Sequence, residues 1–155
     1  MATTTFSVAS ADLQDYQPDI LGYGVADFDT QLQFAEDDVI RQVREEWWER
    51  YRHTVRYRDI TKVTTIEMDE TKLTDAQWKR CSVFKMLADY VCPLLTKFNS
   101  DDNLDRFQMM QKYYQTEYAK EFQSVLRDGV EYDDDNSGTI TNSEKEPYHR
   151  LRLIR

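Results

Sequence analysis

Glycine and proline are scarce: four and three in 155 residues. An all-β chain needs more of both for its tight turns, so that class is excluded. Cysteine is rarer still. Cys81 and Cys92 share one helix-patterned segment, about 16 Å apart along a helix axis, well beyond the roughly 7 Å that a disulfide spans. They read as buried thiols in a reducing compartment. No apolar run approaches the ~20 residues of a membrane span, and the start Met-Ala-Thr-Thr-Thr-Phe lacks a signal peptide's basic-then-apolar order. The expectation is a protein that stays in the cytosol or in something assembled there. Positive charge is also in deficit, with 20 Lys and Arg against 29 Asp and Glu. A net charge of −9 disfavours duplex DNA or an anionic membrane as the main partner, and no specific nucleic-acid binding is expected.

Catalytic patterns are missing too. The two histidines, His53 and His149, have no metal-ligand companion at helical or loop spacing. There is no Gly-rich phosphate loop, serine elbow, Cys-x-x-Cys or zinc-binding His pair. The many carboxylates at helix positions read as solvated faces. No enzyme is expected.

What the chain does hold is apolar bulk in helical order: ten Tyr, seven Phe and three Trp, with 40% apolar residues, on a length suited to one domain. Residues 1–28 scatter Leu13, Tyr16, Ile20, Leu21 and Phe28 among Pro18, Gly22 and Gly24 without a period, and read as an arm. Such an arm lies across its own domain or reaches a neighbour, and the bundle is expected to fold without it. A helix over about 30–51 follows, capped by Asp29, with Leu32, Ala35, Val39, Val43 and Trp47 on one stripe. Trp47 and Trp48 point about 100° apart. Either the apolar face is broad, or one of them, taken as Trp48, meets a partner chain. Residues 54–72 are rich in β-branched residues and read as an extended connection.

Thr74 caps the next helix, with Gln77 reaching back and Leu73 and Trp78 as a hydrophobic staple. It runs through Phe84, Leu87, Val91 and Leu94 to Phe98, with a kink near Asp89 or a break at Cys92 imposed by Pro93. Ser100 or Asp101 caps a third helix, which Gly129 ends. The fold class is therefore mainly α: a bundle of three long helices over 29–128, an extended N-terminal arm over 1–28 and an extended tail over 129–155.

The tail carries an acidic loop, 133–144, that fits the calcium-loop template. Asp133, Asp135 and Ser137 take its first three ligand positions, and Gly138 takes the sharp turn. Thr139 offers a carbonyl, Thr141 a side chain or water, and Glu144 a bidentate carboxylate. Six or seven oxygens around one point suit Ca2+, a hard cation. The flanks differ from an EF-hand: Asp128-Gly129 stops the preceding helix early, and Pro147 discourages a long one after the loop. The metal-free alternative is a loop closed by Asx turns. Beyond it, Arg150, Leu151, Arg152, Leu153, Ile154 and Arg155 alternate basic and apolar residues, as a strand seeking a partner's edge or groove does.

The order of parts is informative: Tyr16-Gln17-Pro18-Asp19-Ile20, Gly22-Tyr23-Gly24, Ala35-Glu36-Asp37-Asp38-Val39-Ile40-Arg41, Trp47-Trp48, then Tyr132 with its loop and a basic end. It resembles the head-tail connector (adaptor) proteins of tailed bacteriophages. The resemblance implies a structural virion protein, usually a dodecameric ring. It would dock on the portal, link the head to the tail or neck, and be assembled in the host cytoplasm. Contacts would come from residues 62–71 and the tail. A different class, a calcium-responsive binding module, would instead order its C-terminal arm on binding the ion.

Overall fold

The computed structural model describes residues 6–24, 27–52, 67–96, 105–142 and 144–146. The chain is mainly α. Helix α1 (Asp29–Val43) buries Leu32, Ala35, Val39, Ile40 and Val43, the three- and four-residue spacing of one face. Asp29 is its first residue rather than its cap. The Ser10 hydroxyl, from the N-terminal segment, accepts the Phe28 N–H at 3.1 Å and donates to the Asp29 carboxylate at 2.9 Å. A π turn (Arg44–Trp48) follows, and the chain stays helical through residues 49–52. Its i→i+5 bonding sets successive side chains closer in angle than an α-helix does. Trp47 and Trp48 are consequently both buried, at 5% and 2% exposure. Trp48, the candidate partner contact of the second alternative, is buried within its own chain, as the broad apolar face requires.

Helix α2 (Asp75–Met86), a second π turn (Leu87–Val91) and helix α3 (Cys92–Leu95) form one continuous run. Trp78, Cys81, Val83, Phe84, Met86, Leu87, Ala88, Val91 and Cys92 are all buried, so this run is central. Pro93 has no N–H to offer the preceding turn, and the π turn stands where the kink was expected. The run ends at Leu95, short of Phe98, and Leu94 points outward. Both cysteines are free and buried. Burial pushes the Cys92 thiol up to about 11 and raises that of Cys81 as well.

Helix α4 (Arg106–Asp128) starts at Asp105, whose N–H donates to the Gln108 side chain at 3.1 Å, and not at Ser100 or Asp101, which lie outside the described residues. It buries Tyr114, Tyr118, Phe122, Val125 and Leu126. The α2 run packs between α1 and α4.

The N-terminal segment is part of this core. Phe6, Val8, Leu13, Ile20 and Phe28 are buried, on extended stretches and two 3-10 turns (Ser10–Asp15 and Ile20–Gly22). Phe6 stacks on Trp78 at 6.4 Å, Tyr16 meets Phe84 edge-on at 5.0 Å, and Gln17 donates to the Tyr114 hydroxyl at 3.0 Å. Of the two alternatives for the arm, the described residues 6–24 and 27–28 take the first: they lie across their own domain and share its core. The arm's apolar residues showed no period because short 3-10 turns repeat neither at 3.6 nor at 2.

Candidate functional site

Gly129, at φ +103°, turns the chain out of α4 into a small antiparallel hairpin. Strand β1 (Val130–Glu131) pairs with β2 (Lys145–Glu146) in the register Val130 to Glu146 and Glu131 to Lys145. Lys145 donates across that register to the Glu131 carboxylate at 2.7 Å. Residues 133–144 are therefore the loop of a hairpin, not a segment between two helices.

The hairpin is fastened at its base. Gln77, read as a cap for its own helix, instead donates to the Gly129 carbonyl at 2.7 Å and accepts the Glu131 N–H at 2.9 Å. Thr74 stands at the cap position without a side-chain bond. Val130 and Tyr132 are buried. The Tyr132 ring closes a cluster with Trp47, Trp48 and Tyr51, in which all six pairs have centroids between 4.7 and 5.9 Å apart.

Within the loop, acidic oxygens meet backbone N–H groups. Asp133 accepts from the N–H groups of Ser137 at 2.9 Å and Gly138 at 2.8 Å, one on each oxygen. Asp135 also accepts from Ser137 at 2.9 Å. Glu144, only 7% exposed, accepts the N–H groups of Asp134 and Asp135 on one oxygen and both the N–H and the hydroxyl of Thr141 on the other. Thr141's hydroxyl, at 2.7 Å, is the main reason the Glu144 carboxyl lies below its ordinary value. Asn136 and Gly138 both take positive φ, which folds the loop over these oxygens. Ser137 donates to the Thr139 carbonyl at 3.0 Å.

Asp133, Asp135 and Glu144 thus converge, with ligand oxygens within 4.8 Å of one another. Three of the six expected ligand positions are brought together as carboxylates. Ser137 and Thr139 bond each other, and Thr141 bonds Glu144. Chemically, the loop holds clustered negative charge stabilised by hydrogen bonds from N–H donors. A cation here would compete with those bonds, above all at Glu144, whose acceptor sites are already occupied. Arg150, Leu151, Arg152, Leu153, Ile154 and Arg155 lie outside the described residues, as does the first half, 62–66, of the expected contact segment 62–71. The residues that anchor the loop, Gln77, Lys72 and Asp69, carried no sequence signal for that role. Gln77 fitted a capping box equally well.

Among the described residues no helix is long and apolar enough to cross a membrane. No protein-family model, curated protein or solved structure matches this chain.

Proposed function

We propose that the chain is a non-catalytic structural protein, a ring-forming head-tail connector of a tailed-bacteriophage virion. In this reading three long helices form the bundle, and the C-terminal tail reaches a partner. The observation that carries it is a convergence. Trp47-Trp48 and the Tyr132 hairpin, two distant parts of the resembling pattern, meet in one aromatic cluster. Exposed Tyr23, Phe34, Leu94, Met109 and Tyr113 add apolar surface suited to subunit contacts. Its partners would be sister copies in a dodecameric ring, the portal protein and a tail or neck protein, at the head-tail interface of the virion. Light scattering with electron microscopy, with and without portal protein, tests this. A ring or a portal complex is expected, and a strict monomer under both conditions overturns it.

The second reading, a calcium-responsive binding module, rests on the 4.8 Å convergence of Asp133, Asp135 and Glu144. Ser137, Thr139 and Thr141 would supply the remaining oxygens. Titration calorimetry of the wild type and Glu144→Gln decides it. Calcium heat lost in the variant supports the reading; no heat at millimolar ion, or equal heat in both, removes it.

A further inference from the structure

We propose that the acidic loop and the 67–73 segment form a reciprocal conformational coupling, so that a change of order or charge in one is felt by the other. The inference stands on geometry alone and needs neither the connector nor the calcium reading. Four hydrogen bonds join residues 69–74 to residues 131–134, at the base and start of the loop, across a long gap in sequence, two of them forming a single β-bridge. The Asp133 N–H donates to the Lys72 carbonyl at 3.0 Å, and the Lys72 ammonium donates to the Asp134 carbonyl at 2.9 Å. The Asp69 N–H donates to the Tyr132 hydroxyl at 3.3 Å. Leu73 and Tyr132 pair as a β-bridge, and the Thr74 N–H donates to the Glu131 carbonyl at 3.3 Å.

Asp133 is the pivot. Its backbone N–H is bound to the 67–73 segment, while its carboxylate holds the Ser137 and Gly138 amides of the loop. A group that draws this carboxylate away must release those amides or shift the backbone that bonds Lys72. On the other side, the segment is itself a small hydrogen-bonded unit. A 3-10 turn (Glu70–Lys72) is closed by Asp69, whose carboxylate accepts both the N–H and the hydroxyl of Thr71, so it moves as a piece. Arg44 at the π turn reaches Glu70 of the same turn at 3.7 Å, and Lys72 lies over the Tyr132 ring at 5.9 Å. The joint therefore touches the π turn that follows α1, the aromatic cluster and the loop together.

Coupling of this kind is reciprocal by thermodynamic necessity, so a perturbation on either side is read on the other, which contact alone does not require. Hydrogen exchange on the full chain, resolved by peptide, tests it. Asp133→Ala should speed exchange in 69–74 about tenfold while leaving 114–122 of α4 unchanged. Lys72→Met, far from the loop carboxylates in sequence, should speed exchange in 134–141 by a similar factor. Acceleration confined to the mutated side in either variant overturns the coupling. So does uniform acceleration across all peptides, which would mean plain global destabilisation.

Discussion

The side-chain amide of Gln77 bridges two backbone groups of another element, donating to the Gly129 carbonyl and accepting the Glu131 N–H. It ties the start of the hairpin to the central helix. Gln77→Leu keeps the bulk and strands both groups in a part-buried place, so it should cost about 1–3 kcal/mol. Urea unfolding measures this; a loss below about 0.5 kcal/mol would mean that water replaces the bridge.

Phe6 is fully buried against Trp78. Phe6→Ala should therefore cost about 3–5 kcal/mol, the cost of emptying a core position. An unchanged urea midpoint would show that the N-terminal segment does not share the core.

Leu87 opens the second π turn with no exposure, whereas Leu94, two turns on, is 55% exposed. Leu87→Ala should cost about 2–5 kcal/mol and Leu94→Ala under about 0.5 kcal/mol. Equal losses in thermal unfolding would contradict the helix phase.

The Glu144 carboxyl is held below its ordinary 4.5 by the Thr141 hydroxyl first and then by the Thr141 N–H, with burial the main opposing cause. A carboxyl whose folded value is depressed stabilises the fold above its unfolded value, and loses that contribution as pH falls through the folded one. The loop should therefore loosen only below pH 4.5, with faster exchange of the Asp134 and Thr141 amides. Glu144→Gln should remove that step. An identical acid profile in the variant would assign the loosening to other carboxylates.

Helical class and the central α2 run were legible because long apolar faces repeat at a fixed angle. Leu73 and Trp78 are both buried, as their staple positions imply. Two things were not legible. A π turn leaves no mark in a binary pattern, so the burial of both Trp47 and Trp48 could not be read from a 100° wheel. Tertiary use of a side chain was equally hidden, since Gln77 satisfies a local capping pattern while serving a distant strand. In the loop, the residue types gave the turn and the convergence of Asp133, Asp135 and Glu144. The saturation of Glu144 by loop amides depends on backbone geometry that spacing does not carry.

The four rings of Trp47, Trp48, Tyr51 and Tyr132 also have an optical consequence. Aromatic chromophores at such separations exchange excitation, and their coupled transitions add a signed couplet to the far-ultraviolet circular dichroism of the peptide bonds. One of the four belongs to the hairpin and three to the end of the first helix. A displaced hairpin would thus alter the ellipticity with no helical residue unwound. The spectrum of this chain therefore reports its tertiary closure as well as its helix content.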